Sequence, residues 1–365
     1  MSGGIVRFIK KFLGILVLSL VLCNMGFSVE SLTEGQKGTI KFESIPVVTL
    51  NQFLNGETEG KPVKISGKLQ FPTKKWAGRL PAIVLLHGGG GVNSNQINWA
   101  KDFRRIGLAT FIVDSNSARG CRSRKGTVVM CENNHLHQGM AHIADAYRAL
   151  EILSTHPRID STRVAVIGFS VGARAALYAS VKRFQKMWGT SGLEFAAHIP
   201  LYPSCRTIFD KDELVSDHPI RIFYGSLDEF SSPEFCEEYV NRLRKAGKDV
   251  TITIYPGVHH GFDRKPDSRS SGKPRLSSDT PEWCRFVEDV DSDHLVFSIK
   301  DKDNKELKTL NTQCLSLYPN RKQACRIFSY SLLKTSNIYY GPESEDFFNN
   351  ALIMKKKCAR WEKKI

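Results

Sequence analysis

A serine lies between two glycines in the stretch "RVAVIGFSVGARAALYASV", residues 163–181, as Gly168-Phe169-Ser170-Val171-Gly172. An apolar run precedes it and a run of small residues follows. Gly-x-Ser-x-Gly at a strand-to-helix turn is a nucleophile elbow: the turn is tight, and its strain pushes the hydroxyl clear of the sheet. A serine hydroxyl attacks a carbonyl only if a base takes its proton, and the base needs a carboxylate to hold its tautomer. Serines presented in this way find those partners downstream in the order acid, then histidine. Asp228 ends the apolar run "IRIFYGSLD", and His260 follows "VTITIYPGVH". Ser170, Asp228 and His260 are therefore the candidate catalytic set. His259 is the alternative base, and helix capping near Ser232 is the alternative role for Asp228. The reaction passes through an oxyanion, which backbone N–H groups must meet. Val171, directly after the serine, supplies one candidate donor. Gly89, in the "HGGGG" run of residues 87–91, supplies the other.

Other chemistries find less support. The glycine run lacks the Lys-Ser/Thr ending of a phosphate cradle. His135, His137 and His142 lie on or near an amphipathic helix without an acidic partner set, and are expected to face solvent. No Cys-x-x-Cys pair suggests zinc. No metal and no cofactor are expected.

The candidate residues require a scaffold. Two alternating runs between residues 37 and 73 read as an opening hairpin or a pair of edge strands. Residues 82–86 form a continuous apolar run ending in glycines, the pattern of a strand buried on both faces. A helix carrying "NWAKDFRRIG" follows, then a strand over 108–114, and a long amphipathic helix, "HQGMAHIADAYRALEILSTHP". After the strand "RVAVIGF", the segment "SVGARAALYASVKRF" reads as one helix of small residues. Strands in "FAAHIPLYPSC", "IRIFYGSLDEF" and "VTITIYPGVHHGFD" complete the series, with the helix "CEEYVNRLRKAG" between the last two. Alternation over about 190 residues implies an α/β protein with a doubly wound, mostly parallel sheet. Such sheets place function in the loops at the carboxyl ends of their strands, where all the candidates above fall.

The chain has 365 residues, and 41% of them are hydrophobic, enough for a substantial core. Residues 1–28 combine Arg7, Lys10 and Lys11 with the apolar run "FLGILVLSLVLC" and a small-residue exit at Gly26 and Ser28. This describes a signal peptide and an exported, periplasmic or secreted protein, with no stable membrane span once the leader is gone. The alternative is an uncleaved leader anchoring the chain to the inner membrane. A lipoprotein reading rests on Cys23, behind the bulky Leu22. The net charge is +15, and the three leader cations leave about +12. The basic tail, 354–365, carries one tryptophan and no nucleic-acid motif, so no nucleic-acid partner is expected. Eight cysteines follow the leader: Cys121, Cys131, Cys205, Cys236, Cys284, Cys314, Cys325 and Cys358. In an exported chain an even number reads as disulfides, although sequence does not fix the pairing. Cys121 and Cys131 flank a basic loop and would contribute about 3 kcal/mol by closing it. The organisation expected is signal peptide 1–28, α/β core 29–263, a Cys-containing, irregular β insertion at 264–336, and a closing helix with basic tail at 337–365.

The stretches "IVLLHGGGGVN", "VDSNSARG", "DAYRALEIL", "RVAVIGFSVGARAAL", "YGSLDEF" and "YPGVHHGFD" together resemble the dienelactone hydrolase family of the α/β-hydrolase fold, over roughly 80–263. The resemblance implies Ser170 as nucleophile, Asp228 and His260 as its partners, and Gly89 in the oxyanion loop. The founding enzymes carry a cysteine nucleophile, so Ser170 places this chain beside an exported serine branch, with dienelactone a doubtful substrate. They also carry a glutamate beside the oxyanion residue, where this chain has Gly88. Arg119 lies near where the family holds a substrate carboxylate; bracing of its own loop is the alternative. Arg119 and Gly88 are thus the candidate substrate-binding residues. The implied partner is a small acyl or ester molecule, hydrolysed through an acyl-enzyme. A peptidase using the same triad, and a non-catalytic binding module on the same scaffold, are the rival readings.

Overall fold

The computed structural model describes residues 31–46, 50–74, 78–120, 138–228, 233–264, 285–289 and 296–300. The chain opens with strand β1 (Gly38–Ser44), a short helix α1 (Leu50–Asn55) and strand β2 (Val63–Gln70). It continues through β3 (Leu80–Leu86), α2 (Ser94–Arg105), β4 (Ala109–Asp114), α3 (Gln138–Ser154) and β5 (Ile159–Phe169). Next come α4 (Val171–Tyr178), α5 (Lys182–Trp188), β6 (Ala197–Leu201) and β7 (Thr207–Ile208). Strand β8 (Ile220–Gly225), helix α6 (Pro233–Lys245) and strand β9 (Val250–Tyr255) follow, and then β10 (Arg285–Asp289) and β11 (Val296–Lys300).

Eight strands form one sheet in the order β1-β2-β4-β3-β5-β6-β8-β9. The hairpin β1–β2 is antiparallel and pairs antiparallel with β4; from β4 to β9 all pairings are parallel. The sequence explains the difference. Strand β1 alternates apolar and polar residues, as a strand with one wet face does, whereas β4 is buried along almost its whole length. Helices α3 and α4 pack on each other and on β5, while α2 packs on β4 and α6 on β9. The chain runs outward from β3 to β4, then returns past β3 to lay down β5 on its other side. Strand order reverses there, and the loops after β3 and β5 meet above the crevice.

The single helix expected after the elbow is instead two. The Ser180 hydroxyl donates to the Leu177 carbonyl at 2.6 Å, which competes with the helical ladder. Val181 then leaves the helix to form a β-bridge with Val215. Helix α5 starts immediately afterwards.

A smaller sheet, β11-β10-β7, joins part of the 264–336 segment to the core. Strand β10 runs parallel to β7, pairing Phe286 with Thr207. The Glu288 carboxylate fixes this junction: it accepts from Arg183 Nη2 at 2.9 Å and from the Asp210 N–H at 2.7 Å. A disulfide, Cys205–Cys236, ties the loop after β6 to the first turn of α6 with Cα atoms 5.0 Å apart. The leader, the Cys121–Cys131 loop, the closing helix and the basic tail lie outside the described residues. Among the described residues no helix is long and apolar enough to cross a membrane.

His142 is not at the surface as the sequence suggested. It is 2% exposed, its ring edge-on to His87 with centroids 5.0 Å apart. Helix α3 is buried on more of its circumference than an amphipathic pattern implies, because α4 and β5 both cover it. Burial holds His142 well below the usual imidazole pKa, and lowers His198 to about 4. Both are neutral in the fold and take up a proton near pH 6.5 once unfolded. Stability is therefore retained above pH 6.5 and lost as the pH falls below it. Between pH 7.5 and 5.5 the two together should remove about 2–3 kcal/mol. Urea unfolding at the two pH values checks this, and equal stabilities would refute it.

Candidate active site

Ser170 occupies the sharp turn between β5 and α4. Its φ of 56° and ψ of −112° lie where an L-residue is strained, and only two other non-glycine residues in the described structure have positive φ. The turn is held on both sides. The Ser170 N–H donates to the Leu201 carbonyl at 3.1 Å, and its carbonyl accepts from the Arg174 N–H at 3.0 Å. The flanking glycines are needed for close approach. A Cβ on Gly172 would come within 2.3 Å of the Leu86 carbonyl oxygen, and one on Gly168 within 1.9 Å of the Gly172 oxygen. Helix α4 is thereby pressed against the end of β3.

His260 follows β9 in a turn that crosses the end of β8. A Cβ on Gly225 would lie 2.3 Å from the Val258 carbonyl oxygen, so this glycine lets the two turns touch. Ser226 and Leu227 add N–H bonds to the Tyr255 and Val258 carbonyls at 2.9 and 3.0 Å. Asp228 closes the β8 turn and is 2% exposed. The result is a continuous chain of contacts. His260 Nε2 lies 3.0 Å from Ser170 Oγ, and His260 Nδ1 lies 2.8 Å from Asp228 Oδ2. A carboxylate only accepts, so Nδ1 carries the proton and Nε2 presents its lone pair to the serine. Of the adjacent histidines, His260 is the one brought to Ser170 and Asp228.

The loop after β3 reaches the same place. Gly88 packs against the elbow, where a Cβ would sit 3.1 Å from the Phe169 carbonyl oxygen and 3.4 Å from Ser170 Cβ. His87 sets the loop. The Ser115 N–H donates to its Nε2 at 3.1 Å, which leaves Nδ1 protonated to donate to the Gly88 carbonyl at 2.7 Å. The Gly91 N–H donates to that same carbonyl at 3.1 Å and closes a turn over Gly89 and Gly90. In a trans peptide the C=O and N–H point opposite ways. Securing the Gly88 carbonyl inside the turn thus aims the Gly89 N–H outward. Val171 opens α4, where an N–H has no intrahelical acceptor. Among the described residues no group of three or more His, Cys, Asp or Glu side chains is arranged to hold a metal ion.

The sequence profile of the dienelactone hydrolase family matches residues 67–288. The chain belongs to that family. Among related proteins, this dienelactone hydrolase family member is 26% identical to an uncharacterised protein of Mycobacterium tuberculosis over 200 residues, 52% of this chain. The match spans 66% of that relative's own length, just under two thirds. A probable 2-oxo-3-(5-oxofuran-2-ylidene)propanoate lactonase of Bradyrhizobium is 22% identical over 188 residues, 51% of this chain and 74% of that protein. Among solved structures, the propionate-bound esterase Est2 of Thermogutta terrifontis aligns at 19% identity and a TM-score of 0.42, covering 55% of this chain and 81% of its own. A putative dienelactone hydrolase of Klebsiella pneumoniae aligns at 14% identity and a TM-score of 0.43, covering 62% and 88%.

Arg119 is a candidate substrate contact by resemblance, with bracing of its own loop as the alternative, and the structure uses it as a brace. Its side chain is 3% exposed, and its two terminal nitrogens pair with both oxygens of Asp145, which is 0% exposed. The same nitrogens donate to the Ser115 and Ile45 carbonyls at 2.7 and 2.8 Å. Arg119 therefore braces the loop after β4 against α3 and the segment after β1. The motif "DSNSARG" allowed a brace but not its partner, because Asp145 lies on the next helix, 26 residues on. Arg119→Ala leaves the Asp145 carboxylate buried without its counter-ion, and should cost about 3–5 kcal/mol. Urea unfolding of the variant measures it; a loss under 1 kcal/mol would contradict the brace.

Proposed function

We propose that the protein is an exported serine hydrolase that cleaves a small ester or related acyl substrate through Ser170, His260 and Asp228. The observation that carries this reading is the contact chain from Ser170 Oγ through the His260 ring to a buried carboxylate, with links of 3.0 and 2.8 Å, at a strained elbow. In the first step His260 Nε2 takes the Ser170 proton while Oγ attacks the acyl carbonyl. Asp228 accepts from Nδ1–H throughout and steadies the imidazolium. The carbonyl oxygen becomes an oxyanion that the Gly89 and Val171 N–H groups meet. The intermediate collapses as the imidazolium returns its proton to the leaving alcohol, giving an acyl-serine. Water then repeats the sequence with the same histidine as base, releasing the acid and restoring Ser170.

Membership of the family supports hydrolysis, and the lactonase named above supports an ester bond as the target. The signal-peptide pattern and the Cys205–Cys236 bridge support an oxidising, exported location. The assembled site favours catalysis over a binding module that merely uses the scaffold. The test is labelling of the folded, exported form with a fluorophosphonate, followed by peptide mapping. The adduct should sit on Ser170. A folded protein that takes no label would remove the nucleophile and favour the binding module. Labelling with turnover confined to peptides would favour the peptidase.

A further inference from the structure

Asp263, two residues beyond Gly261, takes no part in the steps above, yet three donors from two segments converge on it. Its Oδ2 accepts from Asn95 Nδ2 at 2.8 Å and Trp99 Nε1 at 2.7 Å, both on α2, which follows the oxyanion loop. Its Oδ1 accepts from the Tyr202 hydroxyl at 2.8 Å. Tyr202 follows β6, is 1% exposed, and holds φ at 47°, which a bulky residue rarely adopts. A backbone placed there persists where its surroundings over-determine it. One such contact is with the site itself: the Tyr202 ring stands edge-on to the His260 imidazole, centroids 4.5 Å apart. Burial first, and then the Asp263 charge, push the Tyr202 hydroxyl far above its ordinary range, so it remains a donor. Phe262 completes the wall, 5.8 Å from the Tyr202 ring and 5.2 Å from Tyr255.

We propose that Asp263 is a positioning residue: by gathering Asn95, Trp99 and Tyr202 it locks the turn that carries His260 and seats the Tyr202 ring that sets the imidazole's orientation. It also couples that turn to the helix behind the oxyanion loop, so base and oxyanion donors are held as one unit. This inference rests on the serine-hydrolase reading above. A base acts only within hydrogen-bond reach of the proton it takes, and a displacement of about 1 Å costs on the order of 100-fold.

The test compares wild type, Asp263→Ala, Asp263→Asn, Tyr202→Phe and the Ala/Phe double variant on p-nitrophenyl acetate. Fluorophosphonate titration counts the competent sites, so that kcat is expressed per site. Asp263→Ala should lower kcat per site by about 30-fold with KM within about threefold, since binding of the probe ester is not what Asp263 serves. Tyr202→Phe keeps the ring and loses one bond, so a loss of about threefold is expected. The double variant should be no worse than Asp263→Ala, because one network is broken once. Asp263→Asn keeps an oxygen for the α2 donors and should fall between. Losses that add fully in the double variant, or an Asp263→Ala enzyme with wild-type kcat per site and merely fewer sites, would reduce Asp263 to a structural residue. If Asp263→Ala does not fold, wild-type kcat per site in both Asp263→Asn and Tyr202→Phe overturns the proposal equally. A wild type that takes no label and turns over no ester would instead overturn the hydrolase reading, and this inference with it.

Discussion

Ser170→Ala should lower kcat for ester hydrolysis by about 10⁵-fold while leaving the fold intact. Under the proposed mechanism the substitution removes the only atom of the site that bonds covalently to the acyl group. The strained turn does not depend on that atom, since its two holding bonds, to Leu201 and from Arg174, are made by backbone groups. The oxyanion donors also remain, and they sustain a residual catalysis of about 10³–10⁴ over water. The comparison must use folded protein, with the thermal midpoint measured alongside. A folded Ser170→Ala protein with more than a few per cent of wild-type activity would show that hydrolysis occurs elsewhere or by another nucleophile.

Asp228→Asn should be nearly as damaging, at about 10⁴-fold in kcat, although nothing in the substrate's path changes. Asp228 is buried and faces His260 Nδ1 at 2.8 Å. An asparagine can present its NH₂ group there, and that group pairs with an unprotonated Nδ1. The ring proton then moves to Nε2, and Ser170 loses its acceptor. Because the side chains are isosteric, KM should change little, and the loss should appear almost wholly in kcat. Activity within tenfold of wild type would mean that Asp228 serves only to close its turn.

The contrast between the two residues shows what kind of information each carries. Ser170 was legible because its chemistry is written locally: a strand, a tight turn and a helix of small residues succeed one another along the chain. The clash distances at Gly168 and Gly172 explain why that local pattern is so constrained. Asp228 and His260 were legible through chain order and through their place at strand ends. Which of His259 and His260 lies against Ser170 was not, because neighbouring residues in a turn differ only in where their side chains point. The turn geometry over Gly225 settled it. The split of the expected helix into α4 and α5 was hidden for a related reason. Ser180 is an ordinary helix residue until Val215, distant in sequence, captures Val181.

Arg119, His142 and Asp263 are the other instructive cases. The family resemblance offers Arg119 as a substrate contact, with a brace of its own loop as the alternative; the structure pairs it with Asp145, as a brace requires. His142 read as a surface residue because helical periodicity shows one apolar face and cannot show that a second element covers the other. Asp263 carries no signal in the sequence, since a lone aspartate after a glycine turn has no motif. Its role depends on donors 61, 164 and 168 residues away.

The sequence by itself determined the α/β class, the strand series, a candidate nucleophile and the chain order of its candidate partners, because hydrophobic period, turn chemistry and strand-end placement are local along the chain. The tertiary structure alone decided which histidine meets the serine, which charges are spent inside the protein, and how the site is braced. Those depend on hydrogen bonds and burial between segments that meet only after folding, and no local pattern encodes a partner a hundred residues away.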